Sequence, residues 1–266
     1  MSRGYLVMAQ GNYTKQAEAL AVSIRSTQSS VKNISVITDS EINHSLFDQV
    51  IPIPENDLAK EHRWKIHNRV YFYDLSPYDE TVILDADMLF LTDVSHWWNL
   101  FEKYELLITD KVKTFRDEWV KYSPYRNAFT ENNLPNLYSA FTYFKKCELS
   151  ETFFNLLKII ITNWKEWSLK CTPNYIQATP SIDLAMAIAV SVLGIEDNVK
   201  SPLDYPTFTH MKGGCQGWKR LDESWNDVIG TYTLNDKIKL GPYTQTGILH
   251  YVKKDFVTQD IIEVFK

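Results

Sequence analysis

Short apolar runs alternate along this chain with longer stretches in which apolar residues return every three or four positions. Gly4–Ala9 (GYLVMA), Ile34–Thr38 (ISVIT), Val50–Ile53 (VIPI), Thr81–Leu84 (TVIL) and Leu137–Phe144 (LYSAFTYF) read as strands. Tyr13–Thr27 has helical spacing, with Ala17, Leu20, Ala21 and Ile24 on one face, and His62–Leu75 reads as a helix that Ser76-Pro77 ends. Leu149–Trp167 predicts one amphipathic helix and Ser181–Gly194 another, capped by Ser181 and stopped by Gly194. Strands that are apolar throughout and alternate with helices predict an α/β fold with a mostly parallel central sheet flanked by helices. Two stretches resist the pattern. Lys111–Asn136 has no clean period and reads as a long excursion. The chain from Asp197 on is turn-rich until Gly247–Phe256 (GILHYVKKDF), a short strand with a basic tail. No repeat, low-complexity tract or linker interrupts the sequence, so one domain over residues 1–266 is expected.

Composition narrows the class. A chain of 266 residues can bury a sizeable core, and 44% hydrophobic with 23% charged residues argues against disorder. The longest apolar runs fall well short of the ~20 residues of a membrane helix, and MSRGYLVMAQGNY turns polar too soon for a signal peptide. Cys147, Cys171 and Cys215 are far apart, in no metal-ligand spacing, and fit free thiols in a reducing compartment. A cytoplasmic protein without membrane contact is expected. The formal net charge of -5 gives no whole-molecule attraction for nucleic acid, so any such contact must be local. Aromatic residues, 14% of the chain, suit a site that stacks a flat or sugar-like ligand, and equally an aromatic core.

The stretch that carries chemistry is TVILDADMLFLTDVSHWW, Thr81 to Trp98. Parallel α/β sheets bind ligands beyond the carboxyl ends of their strands, and Asp85 and Asp87 stand at such an end. Residues i and i+2 of an extended segment point to one side, so both carboxylates can approach one ion. Left unpaired they would repel each other and resist desolvation. A hard divalent cation, Mn2+ or Mg2+, removes that penalty, with a diphosphate supplying further oxygens. The structural alternative is a turn with capping aspartates.

With its neighbours this stretch resembles the GT-A glycosyltransferases, notably the glycogenin and galactosyltransferase-like retaining family. The resemblance runs from Gly4 to about Trp98 and is patchy afterwards. YLVMAQGNYTKQAEALAVSIR is similar to that family's first strand, nucleotide loop and helix, and WKIHNRVYFYDLSPYDETVILDADMLFLTDVSHWW to its basic helix, metal strand and following loop. The resemblance implies a GT-A, Rossmann-like fold and retention of anomeric configuration. It places Ala9, Gln10 and Gly11 near the nucleotide and Tyr13 beside the uracil. Asp85 and Asp87 would hold the metal, with Asp85 also near the ribose. Lys65 and Arg69, four apart and able to face one spot, are the candidates for the basic residue against phosphate or donor sugar. Ser139 and Ala140 would border the donor sugar, although the family's usual Gly is missing. Asp183 matches an acidic residue at a helix start near the transferred sugar, here flanked by Ile182 and Leu184 where the family has Gln. At that position it also has a structural reading through the helix dipole. His250 matches the third protein ligand of the metal. Downstream, Val252-Lys253-Lys254-Asp255 replaces the family's Gly and Lys-Pro-Trp, which leaves Lys253 as a candidate substrate contact. His210 competes for the ligand role, because Gly213 and Trp218 follow it at similar spacings. The Gly213-Gly214 loop can close over the diphosphate.

The acceptor is less legible. Lys111, Lys113, Arg116, Lys121 and Arg126 stand against Asp117 and Glu118, with Phe115, Trp119, Tyr122 and Tyr125 interleaved. That mixture suits phosphate contacts with base stacking, and equally a solvated loop with aromatic anchors. The chain as a whole is also similar to phage-encoded glycosyltransferases, some of which put a pentose such as arabinose on 5-hydroxymethylcytosine in DNA. That resemblance implies the host cytoplasm and a base that is flipped or single-stranded. The expected activity is metal-dependent transfer of a hexose or pentose from a nucleotide sugar, a UDP-sugar, to an acceptor hydroxyl. The acceptor is 5-hydroxymethylcytosine in phage DNA, or else a glycan, protein or small molecule. A nucleotidyltransferase is the enzymatic rival, although AQGNY makes a poor triphosphate loop. A non-catalytic sugar- or DNA-binding module is the other.

Overall fold

The computed structural model describes residues 1–54, 57–60, 65–120, 124–175, 177–211, 229–253 and 255–266. In chain order the strands are β1 Arg3–Ala9, β2 Ile34–Thr38, β3 Gln49–Pro52, β4 Glu80–Leu84, β5 Met88–Phe90, β6 Leu106–Thr109, β7 Tyr138–Lys145, β8 Thr209–His210, β9 Thr231–Leu234, β10 Lys237–Leu240, β11 Tyr243–Thr244 and β12 Ile248–His250. Six of them form a sheet in the order β3-β2-β1-β4-β7-β6. β1 pairs in parallel with β2 and β4, and β2 with β3, while β7 runs antiparallel between β4 and β6. The result is the expected α/β architecture with a mostly parallel central sheet.

Both faces of this sheet are covered, which is why its strands are apolar throughout. Tyr5, Val7 and Ala9 of β1 pack with Ala17, Leu20, Ala21 and Ile24 of the Thr14–Thr27 helix on one face. Leu6 and Ile83 face the other way, onto the Glu148–Thr162 and Ile182–Leu193 helices. Gly4 is required by a close approach: a Cβ there would stand 2.4 Å from the Tyr78 ring, whose hydroxyl pairs with Ser35 at 2.7 Å. The Ile182–Leu193 helix starts and stops as its sequence predicts. Ser181 accepts from the Leu184 amide, and Gly194 takes the left-handed conformation at φ 64°.

Several elements differ from expectation. The segment read as a helix over residues 62–75 is a 3-10 helix at Lys65–Tyr71 followed by one α turn, Phe72–Leu75, and residues 61–64 lie outside the described set. The single helix expected over residues 149–167 is two, Glu148–Thr162 and Trp164–Cys171. Between them Asn163 leaves helical geometry and its side chain donates back to the Ile159 carbonyl at 2.9 Å. The excursion contains a hairpin, with Lys113 bridged to Trp119 and the Val120 amide donating to the Val112 carbonyl at 3.0 Å. The C-terminal strand is only Ile248–His250, and it lies outside the central sheet. It joins β5 and β8 in a second sheet of order β5-β12-β8. Among the described residues no helix is long and apolar enough to cross a membrane.

Candidate active site

Neighbours of β1 lie on both sides of it, β2 reached by one crossover and β4 by another. The carboxyl ends of β1 and β4 therefore open a crevice at a topological switch point. Ala9 ends β1 and the chain turns at Gln10 and Gly11. Gly11 has φ 61°, a left-handed conformation that costs a residue with a Cβ roughly 1–2 kcal/mol. Its amide donates to Asp39 at 3.1 Å. Gln10 is buried, donates to Asp39 at 3.4 Å and accepts from Asn68 at 2.9 Å, and Asn68 donates also to Asp57 at 2.5 Å. Burial raises the Asp39 carboxyl, but bonds from Ser40, Gly11 and Gln10 outweigh it and hold it below the usual range. Asp39, Asp57 and Asn68 were not anticipated from the sequence. One signal was available for Asp39, which stands one residue beyond β2 as Asp85 stands one beyond β4.

At the end of β4 the chain does not stay extended. It turns at Ala86-Asp87 and runs directly into β5. Asp85 and Asp87 converge through this turn, not through the strand alternation expected of them. The Asp85 amide donates to the Ala140 carbonyl of β7 at 3.1 Å, and the Tyr251 amide donates to the Asp87 carbonyl at 3.1 Å. Because β5 pairs with β12, Met88 lies opposite His250, and the imidazole arrives beside the turn. His250 Nε2 stands 3.1 Å from Asp87 Oδ1 and 3.6 Å from Asp85 Oδ2, and Arg69 stands 2.5 Å from Asp85 Oδ1. Potential ligand atoms of Asp85, Asp87 and His250 all fall within 4.8 Å of one another. His210 lies opposite His250 on β8, ring to ring at 5.1 Å, one strand further from the turn.

The cluster fits a divalent cation. All three side chains are at most 18% exposed, so the carboxylates are only partly solvated. Taking a carboxylate out of water costs several kcal/mol, which something must offset. Arg69 answers one negative charge and leaves the other over unless His250 is protonated. Burial pushes the Asp87 carboxyl up, yet His250 and Arg69 more than compensate and hold it below the ordinary range. Burial lowers Arg69, and Asp85, then Asp87 and Asp183, raise it overall. Tyr13 is close enough to feel the cluster. Burial, then Asp87 and Asp85, raise its phenol.

Asp183 is fixed on the other side of β7. Its Oδ1 accepts from the Ser139 amide at 2.9 Å and the Ser139 hydroxyl at 2.5 Å, and its Oδ2 accepts from Arg126 at 2.7 Å. Arg126 donates also to the Leu137 carbonyl at 2.6 Å and lies 3.6 Å over the Tyr138 ring. Burial raises the Asp183 carboxyl, while Arg126 and Ser139 outweigh it and keep it below the usual range.

Neither the protein-family models nor the curated proteins contain a match to this chain. Solved structures do match. Over 99% of its length the chain aligns with the WbbM bifunctional glycosyltransferase in its apo structure, at a TM-score of 0.55 and 14% identity. It spans about half of that protein, 49% of the chain. Over 82% of its length it aligns with mouse xyloside xylosyltransferase 1 in its apo form, spanning 89% of that chain, at a TM-score of 0.50 and 10% identity. The fold is that of the GT-A glycosyltransferases.

On this GT-A scaffold most of the expected residues gather. Asp85, Asp87, His250, Arg69 and Tyr13 share one electrostatic neighbourhood, and Asp183 reaches it through Arg69. Ala140 touches Asp85 through its carbonyl, while Ser139 points the other way, to Asp183. The Lys65 side chain and Gly213 lie outside the described part of the chain. Lys253 lines a separate cleft of about 570 Å³ with Tyr232, Phe256 and Asp260. Among the described basic residues of the excursion, Lys113 pairs with Asp117 at 2.7 Å, Lys111 stands 4.0 Å from Asp204, and Arg126 is the partner of Asp183. Lys121 and Tyr122 lie outside the described residues.

Proposed function

We propose that this protein is a glycosyltransferase that moves a sugar from a nucleotide sugar, a UDP-sugar, to an acceptor hydroxyl. Asp85, Asp87 and His250 would hold a divalent cation, and the imidazole in this set favours Mn2+ over Mg2+, which prefers oxygen ligands alone. The observation that carries the reading is the convergence of two carboxylates and an imidazole within 4.8 Å at the switch point of a GT-A fold. When bound, the cation supplies positive charge to the diphosphate and makes it a better leaving group. Ala9, Gln10 and Gly11 form the nucleotide loop, with Tyr13 beside the base. Arg69 orients Asp85 and adds a fixed positive charge next to the diphosphate, and Lys65, four residues before it, is the second candidate for that role. Ser139 and Ala140 border the sugar. Asp183, kept ionised by Arg126 and Ser139, supplies negative charge near an anomeric carbon that becomes electron-poor as the glycosidic bond breaks. Gly213, in its loop, and Lys253 are candidate contacts from the C-terminal third.

Among the described basic residues of the excursion, Lys111 and Lys113 stand near aspartates and Arg126 is engaged by Asp183, which favours a glycan or small-molecule hydroxyl as acceptor over 5-hydroxymethylcytosine in DNA. The test is nucleotide release from a panel of UDP-sugars by the pure protein. Release from at least one of them should be faster with Mn2+ than with EDTA, by roughly tenfold or more. Turnover of nucleoside triphosphates in place of sugar nucleotides would point to a nucleotidyltransferase, and binding without turnover to a non-catalytic module.

A further inference from the structure

A second cleft opens on the same edge of the central sheet as the acidic pair. β6 runs parallel to β4, so Asp110, just past β6, and Asp85, just past β4, emerge on one edge. β7 runs the other way and begins on that edge with Tyr138, opposite Thr109. The excursion's hairpin folds over this corner. Between them lies a cleft of about 330 Å³ lined by Asp110, Lys111, Trp119, Asn136, Tyr138 and Asp204, with Val112 and Val120. Its volume is at the small end of the range for small-molecule sites, ~300–1,000 Å³.

Hydrogen bonds and ring contacts connect the cleft to the Asp85-Asp87-His250 cluster. Lys113 of the hairpin donates to the Phe208 carbonyl at 2.9 Å and accepts from the His210 amide at 2.8 Å, which adds the hairpin to the edge of β8. β8 pairs with β12, which carries His250. On the floor, Tyr138 touches the His210 ring at 5.8 Å, and His210 touches His250 at 5.1 Å. Two ring contacts thus separate the cleft from the imidazole that faces Asp87.

Its lining has a definite chemistry. Trp119 is a large ring left 38% exposed, with the Lys113 ammonium 5.0 Å over it. An indole offers an apolar face to the C–H side of a sugar ring. Asp110, Asp204 and Asn136 offer acceptors, and Asn136 also donors, to neighbouring hydroxyls. Lys111 is drawn towards Asp204, and Asp110 has no ion-pair partner within 4.0 Å among the described residues. Asp110, Lys111 and Asp204 sum to one negative charge, with the Lys113 and Lys200 ammoniums close by, a near balance that suits an uncharged polyol.

We infer that this cleft is the acceptor site and that it takes a neutral glycosyl unit, stacked on Trp119 and hydrogen-bonded by Asp110. The inference rests on the donor reading above for the word acceptor, but the cleft's preference for a sugar can be measured without turnover. Saturation-transfer NMR would be recorded on the whole protein with methyl glycosides of glucose, galactose and xylose, with UDP and Mn2+ as a separate probe. A glycoside signal is expected in the wild type. It should fall about tenfold in Trp119→Ala and in Asp110→Asn, and less in Trp119→Phe, while the UDP signal is unchanged in all three. Unchanged melting temperatures would show that the variants fold. Glycoside signals that are absent from the wild type, or that persist in both Trp119→Ala and Asp110→Asn, overturn the inference. So does binding of a hydroxymethylated DNA oligonucleotide that these variants abolish. Loss of the UDP signal alone, with the glycoside signal intact and sensitive to Trp119, sinks the donor reading and leaves the cleft a sugar site.

Discussion

Two partly buried acidic centres flank β7, and their charges are balanced in opposite ways. At Asp183 the carboxylate meets one guanidinium, one amide and one hydroxyl, all within 2.9 Å, and the account closes inside the protein. At Asp85 and Asp87 two carboxylates share one guanidinium and an imidazole, so one negative charge is left over whenever His250 is neutral. The comparison separates a carboxylate balanced within the protein from a pair that a bound cation would balance. The first should be costly to disturb even without ligand, and the second should be cheap to disturb until a cation is added.

Stability gives the largest contrast. Arg126→Ala leaves Asp183 buried without its counter-charge and should cost ~3–5 kcal/mol in urea unfolding, whereas Asp87→Asn should cost less than about 1 kcal/mol, because it removes repulsion as well as a hydrogen bond. Equal losses in the two variants would erase the distinction. Next in size is the histidine pair. His250→Ala should weaken Mn2+-dependent UDP binding by roughly thirtyfold, about 2 kcal/mol, and His210→Ala by about threefold or less, as seen by calorimetry. The reverse ranking would move the ligand to β8.

Acid should narrow the first contrast. The folded Asp183 carboxyl is depressed, so the stability it gains from Arg126 and Ser139 is complete above its unfolded value of ~3.9 and lost as pH falls through the lower folded value. The stability gap between wild type and Arg126→Ala should be widest near neutral pH and shrink below about pH 4. A gap that stayed constant down to acid pH would mean that Arg126 acts through packing on Tyr138 alone. The smallest effect is expected from Lys113→Ala. Its partner Asp117 is 78% exposed, so thermal unfolding should register about 0.5 kcal/mol or less.

Five of the six strands of the central sheet, the Thr14–Thr27 and Ile182–Leu193 helices and the acidic pair were legible in the sequence, because each rests on a local pattern, while β6 at Leu106–Thr109 went unread. Apolar runs mark strands covered on both faces, and Ser181 and Gly194 mark a helix's ends. The bend at Ala86-Asp87 was not legible, since Asp-Ala-Asp between two apolar runs reads equally well as extended chain. Nor was the fate of Arg126. Its charge counted towards a basic loop, while its partner, Asp183, lies far along the chain, and only tertiary packing brings them together. The hairpin at Lys113–Trp119 escaped for a related reason. It has no periodic core of its own and is held by backbone bonds to β8, a strand of two residues.

The central claim is that Asp85, Asp87 and His250 form a cation-dependent diphosphate site. Calorimetric titration of UDP into wild-type protein and into the Asp85→Asn/Asp87→Asn double variant, each with Mn2+ and with EDTA, tests it most directly. Mn2+ should tighten UDP binding to the wild type by about tenfold or more and make no difference to the double variant. Equal UDP affinity with Mn2+ and with EDTA in the wild type, or an Mn2+ effect that survives in the double variant, would contradict it.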